Sequence, residues 1–155
     1  MEILLTAIVT WLSISFGLPA IHEHPRIEFV SSKKMVSVQF RGEIPAQSKG
    51  TTVEERQSAH RSSRPDVEAL YDDSNRTIYL AEGWTGGTPT EVSVLVHEMV
   101  HHLQNQEGLR YECPQAREKL AYTAQNKWLA RSGRNLMDEF DLDGLTVLLR
   151  TKCMH

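Results

Sequence analysis

Apolar and polar positions divide this chain into segments of different period. Residues 2–16 ("EILLTAIVTWLSISF") are apolar almost throughout, and Gly17 and Pro19 end the run, the punctuation of a helix C-terminus. "RIEFV" (26–30) and "MVSVQF" (35–40) are rich in β-branched and aromatic residues, the second with partial alternation, so both predict strands. Residues 42–65 are polar and rich in Ser, Gly and charge; they read as a surface excursion with a short helix across "VEERQSAHR". Two further strands are expected at 67–71 and 76–81. They flank Asp72-Asp73-Ser74-Asn75, whose side chains favour turns, and so form a hairpin.

Helix signals dominate the second half. In "TPTE", Thr88 is the expected N-cap, Pro89 the first helical residue and Glu91 the partner of a capping box. That helix is expected over Pro89–Glu107, stopped by Gly108. A second runs from Pro114 to Gly133, and a third, capped by Asn135, carries "LMDEFDLDGLTVLLR". Helix, strands, then helices make the fold class α+β, and 155 residues make one domain spanning 1–155.

A formal net charge of −3 offers no basic surface and argues against nucleic acid. The apolar run from Ile3 to Leu18 is short for a membrane span. It also makes a poor secretory signal, because Glu2 stands where positive charge belongs and Leu18 spoils a cleavage site. A buried first helix over 2–16 is therefore preferred, and with it a cytoplasmic location; an exported protein is the alternative if the stretch acts as a signal. The two cysteines, Cys113 and Cys153, follow that choice: one disulfide outside the cytoplasm, two thiols inside it. Nothing in the sequence speaks to an oligomeric state.

The chemistry sits in the helix expected from Pro89. His97-Glu98-Met99-Val100-His101 is H-E-x-x-H, and residues four apart stand on one helical face, so His97 and His101 can offer two imidazole nitrogens to one cation. Glu98 lies about 100° round the axis, beside the metal rather than on it, where it can take a proton from water. A catalytic Zn²⁺ takes three protein ligands. Among His102, Glu107, Glu112, Glu118, Asp138, Glu139, Asp141 and Asp143, Glu118 is best placed, one turn into the next helix after Gly108 lets the chain double back. Its alternative role is a glutamate complementing the helix dipole. Tyr111, Tyr122 and His102 are candidates for an oxyanion donor or for supporting the ligands, with Gln104 in the latter role. Trp84 among Gly83, Gly86 and Gly87 reads as a tight connection more than a lid, and the acidic run from Asp138 to Asp143 as a solvated helix face.

"TIYL", "GWTGGTPTE", "VLVHEMVHHLQ" and "REKLAYTAQ" together resemble a zincin metallopeptidase of the gluzincin type, and more narrowly a family of short bacterial HExxH proteins, over residues 66–132. H-E-x-x-H followed by E-x-x-A is the specific part; the H-x-x-G-x-x-H continuation of metzincins is absent. The resemblance implies a minimal zincin-like domain and one Zn²⁺ held by His97, His101 and Glu118, with Glu98 as general base. It also implies an edge strand around Thr77–Leu80 that binds an extended peptide substrate. Competing expectations are a zinc-stabilised binding module without activity and a zinc amidase acting on a non-peptide substrate.

Overall fold

The computed structural model describes residues 1–21, 23–41 and 69–153; the expected excursion at 42–65, its short helix and the start of the strand at 67 lie outside them. The elements are α1 (Glu2–Phe16), β1 (Arg26–Val30), α2 (Ser32–Arg41), β2 (Ala69–Asp72), β3 (Thr77–Ala81), α3 (Pro89–Gln106), α4 (Pro114–Ala130), α5 (Leu136–Glu139) and α6 (Gly144–Thr151). The architecture is α+β.

Leu5, Ile8, Val9 and Leu12 repeat at helical spacing on α1 and are buried, and they enter the same core as Leu95, Met99 and Leu103 of α3. Gly17 ends α1 in the left-handed region at φ 67°, its N–H returning to the Ser13 carbonyl. The first apolar run is thus a core helix. No helix among the described residues is long and apolar enough to cross a membrane.

The sheet has order β1-β3-β2. β1 runs parallel to β3, with Ile27 opposite Ile78, and β2 runs antiparallel to it, with Tyr71 opposite Ile78. β3 is therefore central, and Thr77 to Leu80 are buried on both faces. This corrects the expected edge strand at Thr77–Leu80: both its ladders are occupied, and among the described residues the edge strand beside the later helices is β2. Ile78 and Leu80 point to the main core, while Tyr79 packs on Val30 and Met35.

Met35 belongs to α2, not to a strand, which corrects the expectation for "MVSVQF". An alternating apolar hexapeptide is ambiguous on its own. Here it covers the second face of the sheet, with Met35 buried and Val38 packed beside it, and tertiary packing overrides strand propensity.

α3 follows its sequence signals closely. Thr88 Oγ1 accepts from the Glu91 N–H, and the Glu91 carboxylate accepts from the N–H groups of Thr85, Gly87 and Thr88. Trp84 folds into the same connection, donating from Nε1 to the Glu91 carbonyl at 3.0 Å. A side chain at Gly86 (φ 69°) would meet the Trp84 ring at 2.8 Å, so this is a tight joint, not a lid. Every residue from Val92 to Gln104 is buried, the signature of a helix surrounded by protein.

The single third helix expected after Asn135 is two helices, α5 and α6. Asp141 adopts φ 47°, and Asp143 starts α6 by accepting from the Thr146 N–H at 2.6 Å. Asp side chains compete for backbone N–H groups and so favour caps over helix interiors. The acidic run is correspondingly structural in part: Glu139 pairs with Arg134 at 2.9 Å and accepts from the Thr90 hydroxyl of α3. Cys113 and Cys153 form a disulfide across a Cα–Cα distance of 5.8 Å, joining the N-cap of α4 to the second residue beyond α6.

Candidate metal centre

Glu118 reaches the histidine pair because α4 packs closely along α3, with Ala121 and Ala124 fully buried between them. Small side chains there let the helices approach. Glu118 Oε2 lies 3.1 Å from His97 Nε2, Glu118 Oε1 lies 3.2 Å from His101 Nε2, and the two Nε2 atoms are 3.2 Å apart. The three ligand atoms fall within 4.8 Å of one another.

The surrounding amides decide what these atoms can do. His97 Nδ1 lies 3.0 Å from Gln125 Oε1, and His101 Nδ1 lies 3.0 Å from Gln104 Oε1. Neither amide is free to turn over. Gln104 Nε2 donates to the Arg117 carbonyl while its Oε1 accepts from Arg117 Nε. Gln125 Nε2 points at Ser93 Oγ, whose own hydrogen goes to the Thr90 carbonyl. Both imidazoles therefore donate from Nδ1, and in their neutral form their Nε2 lone pairs converge on each other and on the Glu118 carboxylate. Converging lone pairs in a buried site repel unless positive charge sits among them. Two imidazoles, each fixed from behind by an amide, and a carboxylate are a donor set that could hold a zinc-type ion.

The local charge pulls the same way. Burial raises the Glu118 pKa, but the hydrogen bonds and positive charge that His101 and His97 supply when protonated at Nε2 outweigh it and leave the carboxyl well below its ordinary range. Burial lowers His101, yet Glu118 and the Glu98 charge drive it upward overall. The cluster thus attracts a proton, or equally a cation.

An open cleft of about 250 Å³ lies over the cluster. Its floor is α3, with His97, buried Glu98 and His101; one wall is β2 from Ala69 to Tyr71, and the other is Arg117 and Glu118. Arg117 is pinned across three elements. It forks onto the Asp73 carboxylate, 2.6 Å from Nη2 to Oδ1, and donates to the His101 carbonyl at 3.1 Å and to Gln104. Burial lowers its pKa, but the Asp73 hydrogen bonds raise it overall.

The remaining candidates sit elsewhere. His102 turns away from the cluster: its Nε2 faces the Glu23 carbonyl at 3.2 Å and its Nδ1 the Tyr71 hydroxyl at 3.1 Å. It neither faces the cleft nor touches the ligands, because one residue along a helix is a 100° rotation. Burial depresses its pKa, in keeping with a neutral ring that ties β2 and the residue 23 segment to α3. Tyr111 does not line the cleft; burial raises its pKa, and Arg117 and Glu107 are the charges near it. Tyr122 packs its ring edge-on to His97, centroids 4.7 Å apart, and its hydroxyl accepts from Arg150 Nη1 at 3.1 Å. It supports a ligand without lining the cleft. Gln125, Arg117 and Asp73 were missing from the expected site. Gln125 shares the α4 stripe of Glu118 and Ala121, a legible signal; the Arg117–Asp73 pair spans 44 positions and leaves no local one.

Fold and site together define a small α+β protein with a two-histidine, one-carboxylate cluster on a buried helix. The chain belongs to the family described as Domain of unknown function (DUF6647), which it matches over residues 1–155. No curated protein and no solved structure matches it.

Proposed function

We propose that the protein is a zinc-dependent metallopeptidase. The reading rests on one observation above all: His97, His101 and Glu118 converge, with both imidazoles locked as Nδ1 donors, at the floor of a cleft that also contains Glu98. Held by those three residues, Zn²⁺ supplies Lewis acidity, polarising a carbonyl and lowering the pKa of a water toward ~7. Glu98 is not a ligand in this scheme. From the cleft floor it accepts a proton from the attacking water and returns it to the leaving amine. Arg117, the cation lining the cleft among the described residues, favours the negative charge that develops on the scissile carbonyl. An extended peptide lies along β2, where Ala69 to Tyr71 form the wall, and gains main-chain hydrogen bonds by strand addition.

The Cys113–Cys153 disulfide favours an oxidising compartment over the cytoplasmic location expected from the first helix. Mass measurement of alkylated native protein tests this, two free thiols being the contrary result.

Glu98→Gln is the deciding variant. It should retain stoichiometric zinc and lose roughly 10²–10⁴-fold in turnover on a peptide library, the usual contribution of a general base, while Glu118→Ala should lose zinc. A Glu98→Gln protein as active as the parent, or a Glu118→Ala protein with parental zinc affinity, refutes the assignment.

A further inference from the structure

Helix α6 buries none of its residues, and Leu145, Leu148 and Leu149 are 64%, 43% and 49% exposed. Eight residues are too few for a helix to persist in water unaided, so its place depends on tethers. Two sit at its C-terminal end. Cys153 is bonded to Cys113, and Arg150 donates to the Tyr122 hydroxyl at 3.1 Å. Tyr122 is the residue whose ring edge rests on His97, one helical turn past Glu118. A continuous set of contacts therefore runs from the disulfide through Arg150 and Tyr122 to one metal-binding imidazole.

We propose that α6 is a disulfide-tethered strap and Arg150 a positioning residue that seats Tyr122 against His97, so that the centre reaches full metal affinity only when Cys113–Cys153 is closed. The inference rests on the metal-centre reading above and adds its regulation. A dithiol opens the bond by exchange: two electrons pass to the cysteine pair, Cys113 and Cys153 take up two protons as thiols, and the dithiol becomes its own disulfide. The strap then keeps only side-chain contacts with α4. Arg150 leaves Tyr122, and the ring no longer limits the orientation of His97.

The test compares full-length protein with Cys113→Ser/Cys153→Ser and Arg150→Gln. It reads hydrogen exchange over residues 144–151, Zn²⁺ affinity by competition with a chromophoric chelator, and the visible spectrum of the Co²⁺-loaded protein. Both variants should exchange faster in α6 and shift the Co²⁺ bands. Each should bind Zn²⁺ about 3–10-fold more weakly, below the ~10–100-fold seen when a direct hydrogen-bond partner of a ligand is lost. Arg150→Lys, which still donates to the phenol, should restore most of the affinity. Tyr122→Phe should match Arg150→Gln, and the pair should do no further harm. If the cysteine variant does not fold, Arg150→Gln alone decides. Parental Zn²⁺ affinity and Co²⁺ spectrum in Arg150→Gln overturn the proposal, as does unchanged exchange in α6. A parent that takes up no Zn²⁺ overturns the metal reading itself, and the exchange rates still decide whether α6 is a strap.

Discussion

Gln104→Leu isolates the role of the amides behind the histidines. Gln104 is fully buried on α3, with its Oε1 shared by His101 Nδ1 and Arg117 Nε and its Nε2 on the Arg117 carbonyl. Leu has a similar volume and helix propensity, so neither a cavity nor helix loss complicates the result. The Arg117 charge keeps its Asp73 partner. The variant leaves the buried His101 N–H without an acceptor, at a cost of about 1–3 kcal/mol, and also removes the contacts to Arg117 Nε and to the Arg117 carbonyl. Zn²⁺ affinity should fall ~10–100-fold through loss of the partner that orients the ligand, equivalent to ~1.4–2.7 kcal/mol. Calorimetry with and without Zn²⁺ reads the first, at about 2–4 °C in Tm per kcal/mol for a chain of this size; chelator competition reads the second. Gln106→Leu on the same helix is the control, since Gln106 Nε2 is buried and has no hydrogen-bond partner among the described residues; it should leave Zn²⁺ affinity untouched and stability unchanged or raised. A folded Gln104→Leu protein with Zn²⁺ affinity within twofold of the parent would refute the locked-tautomer argument.

Two stability predictions follow from features that the site depends on. Hydrogen bonds from Thr85 first, and then from Thr88, hold the Glu91 carboxyl below its ordinary value of 4.5. A depressed folded-state pKa stabilises above the unfolded value and loses that contribution as pH falls through the folded one. The Tm gap between the parent and Glu91→Gln should therefore be constant at neutral pH and shrink on acidification below about 4.5; a gap that is flat or widens in acid refutes the carboxylate's role. Leu12→Ala, at a fully buried position of α1, should cost about 2–5 kcal/mol, measured by urea denaturation, whereas a dispensable leader helix would tolerate it.

What could be read in the sequence was whatever depends on neighbours within a turn or two of helix. H-E-x-x-H is such a feature, because helical geometry places His97 and His101 together before any tertiary contact forms. So are the Thr88–Glu91 capping box and the Asp72–Asn75 turn, where side chains meet backbone groups a few residues away. Glu118 was legible at one remove, since a glycine stop, a short connection and the small Ala121 on the same helix face predict that α4 returns along α3. Tertiary structure alone decided the rest. It placed β3 at the centre of the sheet and left β2 beside the site, because strand order depends on pairings between segments far apart in sequence. It turned "MVSVQF" into a helix, because a short apolar run takes the shape of the surface it must cover. It also set how each histidine is held: Gln104 and Gln125 accept from the Nδ1 atoms, Arg117 donates to the His101 carbonyl and Tyr122 packs its ring on His97, and all but the Gln104 contact exist only because α4 packs on α3. His102 adjoins His101 in sequence, yet one step of helix rotation directs it to Tyr71 and Glu23, away from the His97–His101–Glu118 cluster.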